Sequence, residues 1–125
     1  MSSFDHAASR HRIQTTDSYY DIHLTVQRYI EDHVGDSITL PGFVREKGGS
    51  QRQVQRALAW YDTNWRKMVL DQRMKRAREL LSNTNDPINM VAATVGYSPS
   101  QFSRTFKAEE GSTPEEYRQF RQSQR

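Results

Sequence analysis

The chain has 125 residues, 34% of them apolar, and a net charge of +3; that is enough for one small domain or two very small helical units, and too short for an elaborate enzyme. With no cysteine there is no disulfide framework, thiolate nucleophile or thiolate metal ligand, and no apolar run approaches a membrane span or signal-peptide core, so the expected home is the cytoplasm. Residues 1–43 hold three Arg against six acids, residues 44–82 ten Lys or Arg against four acids, and the remainder five against five, a basic middle that fits a polyanionic partner, with a solvated helix face as the alternative.

Residues 1–18 are polar and aperiodic and are expected to form a flexible tail. From Tyr19 onward, Ile22, Val26, Tyr29, Ile30 and Val34 recur at helical spacing until Gly35 and Asp36 end the pattern, which predicts a first amphipathic helix. A short helix follows from about Leu40, with Thr39 as its cap, Pro41 in its first turn and Leu40, Phe43 and Val44 inward; it ends at Gly48 and Gly49. The run SQRQVQRALAWY places Val54, Ala57, Leu58 and Tyr61 on one face, without the alternation that would favour a strand.

The segment from Trp65 to Leu81 predicts a longer helix of roughly 17 residues and about 25 Å. Its buried face changes along its length, from Trp65, Met68 and Val69 to Leu70, Met74, Ala77 and Leu81, so one helix serves two cores. After Asn83, Asn85, Asp86 and Pro87, a short helix carries Ile88, Val91, Ala92 and Val95 and closes at Gly96. The stretch VGYSPSQFSRTFK follows, with Phe102 and Phe106 inward. Thr113, Pro114, Glu115 and Glu116 then form a capping box that opens a last helix, with Tyr117 and Phe120 as its apolar stripe. No segment reads as a strand.

Placing Gly48 on Gly96 reveals a gap-free internal repeat with a period of 48 residues. Gly48, Ser50, Val54, Arg56 and Leu58 correspond to Gly96, Ser98, Phe102, Arg104 and Phe106, and upstream Leu40, Phe43 and Val44 correspond to Ile88, Val91 and Ala92. Each copy is a short helix, a glycine turn, a serine at the next N-cap and a second helix, which is a helix-turn-helix. Opposite the apolar face of the second helix stand Arg52, Gln55, Arg56 and Ala59 in the first copy, and Ser100, Ser103, Arg104 and Lys107 in the second. Arg and Gln can form paired hydrogen bonds to guanine and adenine edges in the major groove, whereas Ser and Lys more often touch backbone. Two such helices on one face of a duplex should sit about 34 Å apart, and a stiff helix between them is of the right order of length. Arg66, Lys67, Arg73, Lys75, Arg76 and Arg78 on that helix are available to phosphate. Helix N-termini near Thr39, Ser50, Ser98 and Thr113 could also offer amides.

The segments RMKRARELL, DPINMVAATVGYSPSQFSRTFK and GSTPEEYR, within a match from about Asp21 to Arg121, resemble the DNA-binding domain of the AraC/XylS family of bacterial transcription regulators. The resemblance implies an all-α fold of about seven helices: a tail (1–18), a first homeodomain-like helix-turn-helix subdomain (19–62), a long linker helix (63–82) and a second such subdomain (83–125). It implies base contacts at Arg52, Gln55, Arg56, Ser100, Gln101 and Arg104. Phosphate contacts are expected at Ser50, Gln51, Gln53, Arg66, Lys67, Ser98, Ser103 and Lys107. The partner is expected to be double-stranded promoter DNA, bound by a monomer on an asymmetric site, with RNA polymerase as a further partner and activation as the outcome. With no room for a small-molecule ligand domain, the chain resembles the short stand-alone members.

This sequence departs from the family pattern at four places. The second turn, Gly96 to Phe102, is a residue short, as is WYDTNW before the linker; Gly49 stands where the family prefers an apolar residue, and Glu110 where it often has an aromatic. The shortened turn and the serines at 100 and 103 motivate an alternative from another class, a protein-interaction module that binds RNA polymerase or another regulator. The histidines at 6, 11, 23 and 33 show no ligand spacing. No phosphate loop, nucleophile motif or carboxylate pair with a plausible site is present, so no cofactor, metal or catalytic residue is expected.

Overall fold

The computed structural model describes residues 12–124, and the tail expected over residues 1–11 lies outside them. Seven helices follow in order: α1 (Tyr19–Asp32), α2 (Leu40–Lys47), α3 (Gln51–Trp60), α4 (Trp65–Asn83), α5 (Ile88–Thr94), α6 (Pro99–Glu110) and α7 (Pro114–Ser123). Five of them begin at a Ser or Thr whose side-chain oxygen accepts the amide three residues on: Ser18, Thr39, Ser50, Ser98 and Thr113. Each such cap stabilises its helix by about 1 kcal/mol. At α7 the Glu116 carboxylate also accepts from the Thr113 amide, closing the predicted capping box.

The helices form two units. Among the described residues, the first comprises those up to His33 together with Ile38–Val69, and the second comprises Val34–Ser37 together with those from Leu70. The expected linker at 63–82 is therefore not a separate segment. α4 is one continuous helix whose opening residues Trp65–Val69 belong to the first unit and whose remainder belongs to the second. Its change of apolar face between Val69 and Leu70 is the sequence cause.

In the first unit, Ile22, Val26, Tyr29 and Ile30 of α1 pack with Leu40 and Phe43 of α2, Val54, Ala57 and Leu58 of α3, and Met68 of α4. Phe43 meets Tyr29 edge-on at 5.0 Å and lies 5.4 Å from Trp65. Full burial of a side chain of this size contributes roughly 1.5–3 kcal/mol. This unit also begins earlier than expected: Ile13 is a buried member of its core, so the tail reading fails for residues 12–18.

In the second unit, Met74, Ala77, Leu80 and Leu81 of α4 pack with Val91, Ala92, Val95, Phe102 and Phe106. Tyr117 of α7 closes the core edge-on against Phe106 at 5.4 Å. The segment Val34–Ser37 is held there by Arg73, whose Nε donates to the Val34 carbonyl (3.1 Å) and whose Nη2 donates to the Asp36 carbonyl (2.9 Å). The same guanidinium lies over the Tyr97 ring, 5.1 Å from its centroid. Gly35 must lack a side chain, because a Cβ there would collide with the Thr94 carbonyl oxygen.

Candidate nucleic-acid interface

Each unit presents one helix whose inner face is fixed by the core and whose outer face carries the chemistry. In the first unit, α2 ends at Gly48 and the turn runs through Gly48 and Gly49, both at positive φ (84° and 75°), a region that glycine enters without the Cβ penalty. The Ser50 Oγ accepts the Gln53 amide at 3.0 Å, leaving its own hydroxyl proton able to donate outward. With Val54, Ala57 and Leu58 buried, Arg52, Gln55, Arg56, Ala59 and Trp60 all lie exposed on α3.

In the second unit the turn is built differently. The Gly96 amide donates to Ala93 and the Tyr97 amide to Ala92, both backbone carbonyls, with Gly96 at φ 87°. This is the paired bonding of a Schellman motif, which satisfies the last carbonyls of α5. Ser98 caps α6, and Pro99 occupies its first helical position. Phe102 and Phe106 are buried, while Ser100, Gln101, Arg104 and Lys107 are exposed and Ser103 is half-buried. Gln101 stands beside the expected stripe at the start of the helix.

Several expectations for individual residues change. Gln53, expected among the phosphate contacts, donates its side-chain Nε2 to the Gln14 carbonyl at 2.7 Å, so that group is held within the protein. Of the basic residues on α4, Arg73 is engaged as described above, Arg78 pairs with Glu110 at 2.9 Å, and Arg76 lies 3.4 Å from Glu79. Glu110, at the position expected to differ from an aromatic, is thereby held by an ion pair with 18% of its side chain exposed. Arg66 and Lys67 remain on the surface of α4.

Trp60 was missed in the sequence reading. It lies four residues beyond Arg56, continues the same outward stripe, is 71% exposed, and has its ring 5.9 Å from that of Tyr19. The four-residue spacing was the available signal. Among the described residues there is no group of three or more His, Asp or Glu able to hold a metal ion, and no helix long and apolar enough to cross a membrane.

A family model described as a helix-turn-helix domain matches residues 44–119. The uncharacterized HTH-type transcriptional regulator YisR of Bacillus subtilis (strain 168) is 34% identical over 96 residues, which is 73% of this chain and 32% of that protein. The HTH-type transcriptional activator FapR of Escherichia coli is 35% identical over 69 residues, 54% of this chain and 26% of that one. The chain thus spans about a third or less of these curated relatives' length. A crystal structure of a transcriptional regulator from Chromobacterium violaceum, described by its AraC-type DNA-binding domain, superposes with a TM-score of 0.72 at 28% identity, covering 77% of this chain and 88% of that one.

Proposed function

The chain belongs to the AraC/XylS family of helix-turn-helix DNA-binding proteins, and from that premise we propose that it is a sequence-specific regulator of transcription, setting α3 and α6 into successive major grooves of promoter DNA. The observation that carries this reading is the exposed stripe Arg52, Gln55 and Arg56 opposite a fully buried face of α3, recurring 48 residues on as the stripe of α6. These are the side-chain types that read base edges in pairs of hydrogen bonds. The first unit carries Arg52, Gln55 and Arg56 where the second carries Ser100, Ser103 and Arg104, with Gln101 beside them, so the reading is of a monomer on an asymmetric site. Phosphate contacts come from Ser50, Gln51, Ser98, Ser103, Lys107 and the surface of α4 at Arg66 and Lys67. Activation is proposed as the outcome, in line with the relative named an activator.

Selection of binding sites from random double-stranded DNA tests this directly. A site of about two helical turns is expected. Arg56→Ala and Gln55→Ala should each cost about 1–3 kcal/mol in specific affinity, and unchanged affinity for both at fixed salt would rule out α3 as a reading helix.

A second reading, docking on RNA polymerase or another regulator, draws on the exposed aromatic side chains Tyr20 and Trp60 of the first unit. Capture of purified polymerase that survives high salt, together with no sequence recovered from random DNA, would favour it.

A further inference from the structure

The repeat poses a structural question at the first turn. Position 97 in the second unit is a tyrosine packed against the core, but its counterpart at position 49 is a glycine with no side chain to pack. The space is filled from elsewhere in the chain: a Cβ built on Gly49 would lie 2.7 Å from Ile13 Cγ2. Ile13 is 5% exposed, pairs with Gly48 in an isolated parallel bridge, and donates its amide to the Lys47 carbonyl at 2.7 Å. Arg12 Nη1 donates to the Glu46 carbonyl at 2.8 Å, so two carbonyls at the end of α2 receive donors from this one segment. On its other side, the Gln14 carbonyl accepts from Gln53 in the first turn of α3, and the Gln14 amide donates to Asp17 at 2.8 Å, folding the segment back.

We propose that Arg12–Asp17 is a positioning strap for the first reading helix. It ties the end of α2 to the start of α3 and sets the angle at which Arg52, Gln55 and Arg56 are presented, with Ile13 standing in for the side chain that Gly49 lacks. The inference rests on the DNA-reading proposal above. The strap acts through α3, so its loss weakens discrimination among bases read by the first unit and leaves those read by the second unit alone. Because Ile13 carries no charge, its replacement leaves the salt dependence unchanged, whereas loss of a phosphate contact would lower it.

The test uses the full chain and the site recovered by selection. Ile13→Ala is expected to bind that site about tenfold more weakly, the scale of one misplaced base contact. Base preferences should flatten only in the half read by α3, the slope of log K against log salt should be unchanged, and amide exchange should be faster at Gly48–Gln53. Ile13→Val should restore near-native values. Gln53→Met breaks the tie to Gln14 while leaving Ile13 buried, should move discrimination the same way, and serves where Ile13→Ala does not fold. A lowered melting temperature with α3 base preferences intact, or an equal loss of preference in both halves, would overturn the proposal. If the wild-type chain selects no sequence, the DNA-reading proposal fails; unchanged exchange at Gly48–Gln53 in Ile13→Ala would overturn the strap as well.

Discussion

Asp62 occupies a conformation that few non-glycine residues adopt. Its φ is 55°, its amide donates to the Ala59 carbonyl, and the amide of Thr63 donates to that of Leu58, so α3 ends in the same Schellman pairing that Gly96 supplies for α5. An aspartate tolerates the left-handed region better than most residues but still pays a Cβ penalty there. Asp62→Gly should therefore raise the stability of the first unit by about 0.5–1 kcal/mol, the left-handed Cβ penalty less the entropy that glycine loses on folding, and Asp62→Val should lower it by about 1–2 kcal/mol, both read as shifts in urea midpoint. Nearby, His23 lies against Tyr61 with ring centroids 4.6 Å apart, and burial pushes its pKa below the ordinary 6.5. Its folded pKa is thus lower than its unfolded one, so the neutral form is favoured on folding. That stability is complete above about pH 6.5 and is lost as pH falls through the folded value. Melting temperatures followed from pH 8 to pH 5 should decline less in His23→Phe than in the wild type. Neither role was legible in the sequence: nothing in WYDTNW marks which residue carries positive φ.

At the scale of elements, the end of α4 depends on side chains from α7. No glycine closes that helix. Instead Arg118 donates from Nε to the Leu81 carbonyl (3.3 Å) and from Nη1 to the Asp86 carbonyl (2.6 Å), while Gln122 Nε2 reaches the Leu81 and Thr84 carbonyls at 3.2 and 3.0 Å. Carbonyls at a helix end otherwise need water or a cap. Arg118→Ala should destabilise the second unit by about 1.5–3 kcal/mol, the scale for hydrogen bonds from a charged group, and Gln122→Ala by about 1 kcal/mol, measured by chemical denaturation. Arg118→Lys should recover only part of the loss, because an ammonium cannot reproduce the fork of a guanidinium. Arg118 was visible in the sequence as part of GSTPEEYR, but its role was not. Helix faces follow from a local period of 3.6 residues, which is why the two patches of α4 and the buried faces of α3 and α6 could be read directly. The hydrogen-bond partners of Arg73, Arg78 and Arg118 lie 32–39 residues away in the chain, a separation at which no periodicity helps. The strap escaped for the same reason, since a lone Ile13 in a polar stretch gives no pattern to count.

For the molecule as a whole, the charge excess of residues 44–82 has to be divided between what holds the fold and what faces outward. Arg73, Arg76 and Arg78 have protein partners, while Arg52, Arg56 and Arg66 project from exposed positions. Binding to DNA releases counterions in proportion to the phosphates contacted, so log K falls against log salt with a slope near −0.9 for each contact. Three variants should therefore separate into three behaviours. Arg66→Gln is expected to weaken binding to all sequences alike and to make the slope shallower by about one. Arg56→Ala is expected to cut specific affinity and relax the base preference at one position. Arg73→Gln gives up the hydrogen bonds to Val34 and Asp36 and the contact with Tyr97, so it should lower the melting temperature and leave the slope of the folded protein as it was. A potassium chloride series with each variant, on the selected site and on unrelated DNA, measures all three. An equal change of slope for Arg73→Gln and Arg66→Gln would mean that the half-buried Arg73 reaches DNA after all, and that the division between fold and interface drawn from the hydrogen bonds is wrong.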